Sequence, residues 1–195
     1  LSRSEIRDAI RKHTDTQQSW PYDPDGAPHY PGTERKLSNA EHREIMAGKS
    51  PFNLRLNMES AFQEQAGSLV WREWSDEGYV DVIAEPDAWG DVVLARKDTP
   101  ASYHLCCVVD DALQGISHVV RGMDLYHSTS IHVLLQSVLD LPNPFYRHHK
   151  LVRDDTGDKL SKSAKARSIK SVRQSGISAE EVRSSLLGSD AEFHR

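Results

Sequence analysis

Cysteine is scarce in this chain of 195 residues: there are two, Cys106 and Cys107, side by side. Adjacent cysteines cannot brace an ordinary disulfide framework, which needs partners held apart with converging side chains. A small cross-linked scaffold is excluded, and a reducing compartment fits. Both thiols lie in an apolar run and are expected to be buried small hydrophobes. Long apolar runs are missing too. No stretch approaches the roughly 20 residues that cross a bilayer, so no membrane partner is expected. The chain begins at Leu1 rather than at methionine, so the lack of a signal peptide says little about targeting. There is no internal repeat. The composition, 37% hydrophobic and 27% charged, is that of a globular domain, long enough for one core and an insertion. A cytoplasmic monomer is expected.

The net charge of −5 gives no hint of nucleic-acid binding, but it averages over a split. Residues 147–173 hold nine Lys or Arg against three Asp, a local +6, which leaves −11 on the rest of the chain. A basic segment on an acidic body can draw a polyanion to one place, and it can equally be a solvated helix face.

Local patterns divide the chain into alternating elements. Residues 2–13 read as a helix, with Ile6 and Ile10 at i, i+4. Residues 14–36, rich in Pro, Gly and Asp, read as irregular loop with turns. Ser38 and Glu41 form a capping-box signature, opening a helix that Gly48 ends. Residues 52–58 alternate as a half-buried strand does, residues 77–85 have β character, and 91–95 form a short apolar strand. Residues 102–113 are mostly apolar, and periodicity leaves helix and strand both open. Residues 116–121 read as a β-branched strand ending at Gly122. Residues 128–141 follow as an amphipathic helix with Ile131, Leu134, Leu135 and Val138 on one face, stopped by Pro142 and Pro144. Residues 154–157 read as a turn. Ser178 and Glu181 open a last helix, closed by Gly188. Strand, helix and loop succeed one another as in an α/β domain.

The sharpest chemical signal is Lys159-Leu160-Ser161-Lys162-Ser163. Two lysines three apart, with two serines, can place ammonium groups and hydroxyls on a polyphosphate. On its own such a string is more often a solvated loop. Its neighbours change that. KLSKS is similar to the KMSKS signature of class I aminoacyl-tRNA synthetases, and upstream the phrases YHL, VVDDALQGISHVVRG and DL..ST stand in the order of the glutamyl branch of that class. The resemblance covers most of the chain and is strongest over residues 90–163. Two enzymes share this block: the full glutamyl-tRNA synthetase, and its truncated paralogue, glutamyl-queuosine tRNA(Asp) synthetase. RGMDL, starting at Arg121, resembles the paralogue, since the full synthetase usually has Glu-Glu-Trp after RG. The chain also ends 32 residues after Ser163, which leaves no room for an anticodon-binding domain.

The resemblance implies an α/β fold: an incomplete class I, Rossmann-like catalytic domain, with residues 1–85 mainly an inserted connective segment and 90–195 the second half. It implies a ligase that activates L-glutamate with ATP and Mg²⁺ and transfers it to queuosine in tRNA(Asp). Tyr103 and Arg121 match the family's glutamate-binding positions. The loop Lys159 to Ser163 matches the ATP-binding signature, with Lys162 at the catalytic, ATP-contacting position. A phenol donor and a guanidinium suit a carboxylate. Without the resemblance, Tyr103 reads as a core tyrosine and Arg121 as part of a structural ion pair. Asp110 and Asp111 look like an acid/base pair, but adenylation needs none, and they are read as anchors.

Two features depart from the family's pattern. The HIGH-type ATP motif is absent, so the chain alone is expected to be inactive. Many members also hold zinc with a Cys-x-Cys pair, a Tyr, and a Cys four residues after that Tyr. Tyr30 matches, but Glu34 stands at the last Cys position and Leu1 at the second. Zinc is not expected; His13 and His29 read as solvated, and the segment 20–31 is expected to replace the metal as a folding device. Two other readings stay open: a fragment of a synthetase that charges tRNA(Glu), and a non-catalytic binding relic of the same fold.

Overall fold

Serine side chains begin most of the helices. In the computed structural model, which describes residues 1–15, 19–48, 51–65, 67–153 and 168–187, Ser2 caps α1 (Arg3–Thr14) and Ser38 caps α2 (Asn39–Ala47). Each accepts from the backbone N–H of a glutamate three residues on, whose carboxylate returns the bond. These reciprocal bonds satisfy amides that a helix start leaves orphaned. Ser178 and Glu181 do the same for α7 (Ala179–Leu187), and Ser168 caps the short α6 (Ile169–Gln174). Gly188 and the turn at 154–157 lie outside the described residues. The chain divides into two units, Leu1–His148 and His149–Arg195, with α6 and α7 in the second.

In the first unit, the expected strand at 52–58 shrinks to β1 (Leu54–Arg55). Asn57 accepts a hydrogen bond from the Ser60 amide and starts α3 (Met58–Gln63). The cap overrides the alternation, because a helix there buries Met58 and Ala61. β1 pairs antiparallel with β4 (Val93–Ala95). The loop at 14–36 is more ordered than its composition predicts: Tyr22 bridges Pro28, the Trp20 indole donates to the His29 carbonyl, and residues Thr33–Lys36 form a 3₁₀ turn. His29 is not solvated; its Nε2 lies 2.9 Å from the Ala88 carbonyl. It packs over Gly90, whose φ of +59° and lack of a Cβ make the approach possible, since a Cβ would meet the ring at 2.9 Å.

The larger sheet has the order β3-β2-β6-β5. β2 (Val70–Ser75) and β3 (Gly78–Ile83) form an antiparallel hairpin, and β2 runs parallel to β6 (Phe145–His149) through Glu73 and Tyr146. β5 (His118–Gly122) lies at the edge. Across the inner face lies α5 (Thr129–Val138), buried all round from Thr129 to Gln136. It closes one cluster with Trp71, Ala84 and Tyr146 through Val133, and another with Met58, Trp89 and Val108 through Ile131, Leu134 and Leu135. A helix apolar enough to be buried on every side belongs at the centre of a layered domain.

Residues 102–113 resolve into α4 (Tyr103–Leu113), capped by Ser102, packed on α5. Its exposed stripe is Tyr103, Cys106, Asp110 and Leu113. The expectation of two buried thiols therefore fails: Cys106 is exposed and Cys107 half-buried. On a helix, adjacent residues point about 100° apart, and only Val108 of this run turns fully into the core.

Candidate functional site

Alternation along the strands aims the polar residues of the sheet inward. On β5, Val119 and Arg121 share the inner face; on β6, Tyr146 and His148 do; on β2, Trp71 and Glu73 do. α5 crosses that face with Thr129 and, one turn on, His132. Both are buried, as is His148. α4 brings its first residue, Tyr103, and its fifth, Cys107, to the rim. Five elements thus converge on one guanidinium.

Arg121 is held on three sides. Its Nε donates to His148 Nε2 at 3.1 Å, its Nη1 lies 3.0 Å from His132 Nδ1, and its Nη2 donates to Thr129 Oγ1 at 2.6 Å. Its carbon also sits 5.1 Å from the centre of the Tyr146 ring. This pattern assigns the ring protons. A guanidinium only donates, so His132 Nδ1 accepts. The proton of that ring is on Nε2, which faces His104 Nδ1 at 3.0 Å. Likewise His148 accepts at Nε2 and donates from Nδ1 to the Glu73 carboxylate, at 2.9 Å to one oxygen, while its backbone N–H donates to the other at 2.7 Å. The ion pairs among the described residues do not include Arg121. The structural ion pair that its position alone allows is therefore not seen there.

Burial, and then the Arg121 charge, push His132 down to about 2 and lower His104 in the same direction. Both rings are neutral at physiological pH. Burial raises the Tyr146 phenol to about 12. It also raises Tyr103, with a hydrogen bond to Cys107 adding to the effect and the Arg121 charge opposing it. Tyr103 is 52% exposed, so it is not a core residue; it stands at the mouth, in reach of both Cys107 and Arg121. The site therefore offers a fixed cation and a protonated phenol at its opening. Those groups can bind an anion; nothing among them is poised to remove a proton.

The structure brings Tyr103 and Arg121 together. Lys159, Leu160, Ser161, Lys162 and Ser163, and most of the basic segment, lie outside the described residues. Sequence reasoning misses His132, His148, Thr129, Glu73 and Cys107. One signal was there: His132 falls among Ile131, Leu134 and Leu135, a polar residue inside an apolar stripe.

The positions matched to the family's zinc ligands also meet. Glu34 accepts from the Tyr30 hydroxyl at 2.6 Å and from Thr33 at 3.0 Å, and the Leu1 nitrogen lies 2.9 Å from its other oxygen. Arg55 covers the Tyr30 ring at 4.1 Å. Among the described residues no group of three or more His, Cys, Asp or Glu side chains is placed to hold a metal. Hydrogen bonds join these positions.

The family of class I tRNA synthetases (E and Q), catalytic domain, matches residues 4–188. The chain belongs to that family. Glutamyl-Q tRNA(Asp) synthetase of Rhodobacter capsulatus is 38% identical over 181 residues, covering 91% of this chain and 62% of that protein. The protein of the same name from Nocardia farcinica is 40% identical over 169 residues, covering 87% of this chain and 50% of that one. The chain thus spans 50% to 62% of these relatives' length. A crystal structure of a glutamate tRNA ligase from Elizabethkingia meningosepticum, in complex with its amino acid, superposes with a TM-score of 0.61 at 21% identity, over 91% of this chain and 32% of that one. That likeness shows a shared α/β fold.

Proposed function

We propose that the protein to which this chain belongs activates L-glutamate with ATP and transfers it to queuosine in tRNA(Asp), and that this chain supplies the glutamate-binding part of the cleft. The observation that carries the reading is Arg121: a half-buried guanidinium held by neutral acceptors, in no ion pair among the described residues though Asp111 lies within reach of its field, next to the Tyr103 hydroxyl. A free cation of this kind suits the carboxylate of glutamate that does not react, since a tight ion pair on the reacting one would blunt it as a nucleophile. The other carboxylate attacks the α-phosphorus of ATP in line and pyrophosphate leaves. The attacking group is already an anion, so the protein's work is positioning and charge stabilisation. No base is needed, in keeping with neutral histidines around the site. Lys159, Leu160, Ser161, Lys162 and Ser163 meet the ATP phosphates in this reading, with Lys162 on the developing charge. Mg²⁺ travels with the nucleotide and no step here is assigned to it; zinc has no part.

Queuosine-bearing tRNA(Asp) is favoured as acceptor over tRNA(Glu) because the relatives of highest identity above carry that name and because Arg121-Gly122-Met123-Asp124-Leu125 departs from the full synthetase. The domain division at residues 85–90, a monomer and a cytoplasmic setting belong to the same reading. The test uses the full-length protein: glutamate-dependent pyrophosphate exchange without tRNA, then labelled glutamate on tRNA(Asp) with and without queuosine, beside tRNA(Glu). Labelling only of the queuosine-bearing tRNA is expected. Preferential charging of tRNA(Glu) would replace this acceptor, and an absence of exchange would remove the activity.

A further inference from the structure

Every hydrogen-bond partner that the described residues give Arg121 is neutral, and this needs a reason. A guanidinium drawn partly out of water is ordinarily matched by a carboxylate, and the same chain does this elsewhere: the partly exposed Arg35 meets the buried Asp91 through Nε at 2.8 Å and through Nη2. Around Arg121 the nearest carboxylate along the hydrogen-bond network is Glu73, and the His148 ring stands between them; Asp111 of α4 feels the guanidinium's charge but forms no ion pair with it. On the opposite side His132 accepts from Nη1 and passes its own proton toward His104. His148 is locked as an acceptor by the Glu73 carboxylate at its other nitrogen, and His132 by the guanidinium itself, which can only donate. His132 is 2% exposed, and the side chain of His148 is fully buried, so neither ring can turn to water.

We infer that His132 and His148 are positioning residues of the anion site: neutral acceptors that aim the Arg121 guanidinium at the mouth beside Tyr103 without tying it into a contact ion pair. A carboxylate in either place would hold the arginine as firmly and compete with the substrate's own carboxylate. The imidazoles separate the two tasks, giving direction without charge. This rests on the reading that Arg121 meets a carboxylate of glutamate.

The test turns on an isosteric pair in the full-length protein. His132→Asn keeps a neutral acceptor where Nδ1 stands, His132→Asp puts a charged one there, and His132→Leu removes it. Next to Arg121 the new aspartate stays ionised. In glutamate-dependent pyrophosphate exchange, His132→Asp should raise the glutamate KM by about a hundredfold while the ATP KM stays put. His132→Leu should raise it by roughly tenfold, the loss of one hydrogen bond to a charged group, and His132→Asn should recover most of that loss. A merely structural histidine predicts the opposite order, with Asp the better tolerated because it pairs with the arginine. Equal glutamate KM values for Asn and Asp would overturn the inference.

A second arm does not depend on glutamate activity. Inorganic sulfate is titrated while the side-chain ¹⁵N resonances of Arg121 and His132 are followed. The wild type and His132→Asn should show a saturable Arg121 shift, and His132→Asp should show none. An Arg121 response common to all three, or a wild-type His132 ring carrying its proton on Nδ1, would refute the inference whatever the substrate. A wild type that responds to sulfate but shows no exchange would instead sink the glutamate reading alone. Should His132→Asp fail to fold, Thr129→Asn and Thr129→Asp ask the same question at Nη2, with the same readouts and the same deciding order.

Discussion

Two arginines of this chain are both anchored, and they are anchored by opposite means. Arg35 lies against Asp91, which is 5% exposed and also takes the Met58 N–H at 2.9 Å. Glu59 adds a second carboxylate at 3.3 Å. Its charge is balanced, and its work is to tie the 3₁₀ turn Thr33–Lys36 to the start of α3 and to the residues before β4. Arg121 lies against two imidazoles and a hydroxyl. The first arrangement is an ion pair; the second leaves the guanidinium in no ion pair among the described residues. Residue type alone says nothing of this difference. The charge state of the partners says all of it.

The sharpest way to break the comparison is to delete each arginine's contribution in turn. Arg121→Ala should raise the glutamate KM by about 10²–10³, the roughly 3–5 kcal/mol lost when a desolvated carboxylate is left without its partner, with the ATP KM unchanged. Steady-state exchange kinetics decide it, and equal losses for both substrates would make Arg121 structural after all. Asp91→Ala should do the reverse. It strands the Met58 amide and frees Arg35, and should cost about 3 kcal/mol of stability in urea unfolding, with the glutamate KM of the folded enzyme intact.

Acid should discriminate the two regions more gently. His132 and His104 have folded pKa values below their ordinary value, His132 at about 2. Below about pH 6.5 the unfolded chain takes up protons that the folded chain refuses, so falling pH favours unfolding. The stability these rings provide is complete above that pH and declines as pH drops toward the folded value. The slope for His132 alone is about 1.4 kcal/mol per pH unit. Urea unfolding at pH 7.5, 6.5 and 5.5 should show the loss, and His132→Asn should flatten it. A slope unchanged by that substitution would mean the ring titrates normally. The Arg35–Asp91 pair contains no imidazole to add to it.

The smallest effect belongs to Tyr103→Phe. Half-exposed at the rim, Tyr103 gives at most one hydrogen bond to the ligand. The glutamate KM should rise less than about tenfold, for roughly 1 kcal/mol, and the melting temperature should not move. A loss as large as that of Arg121→Ala would place the phenol, not the guanidinium, at the centre of recognition.

The parts of the fold legible in the chain are those decided locally. Capping boxes at Ser38 and Ser178 need only a serine and a glutamate three residues apart, so both helix starts stand where they are read. α5 follows from its 3.6-residue period and the prolines after it. β2 and β6 are not legible in the same way. Val70–Ser75 and Phe145–His149 mix large apolar residues with Arg, Glu and His; the first is a strand through its hairpin with β3, and the two are brought side by side through Glu73 and Tyr146, more than seventy residues apart. Cys106 and Cys107 mislead for a related reason: hydropathy cannot tell which side of α4 meets a partner.

The site divides in the same manner. The residues of the chain by themselves determined that Tyr103 starts an apolar element, that Arg121 ends a β-branched strand, and that both stand in a phrase shared with the glutamyl synthetases. Only the tertiary structure decided what holds Arg121. Its acceptors come from α5 and β6, eight, eleven and 27 positions further on, and Glu73 reaches it through His148 from β2. Protonation states depend on burial and on what the far nitrogen of each ring touches, and those are properties of packed elements.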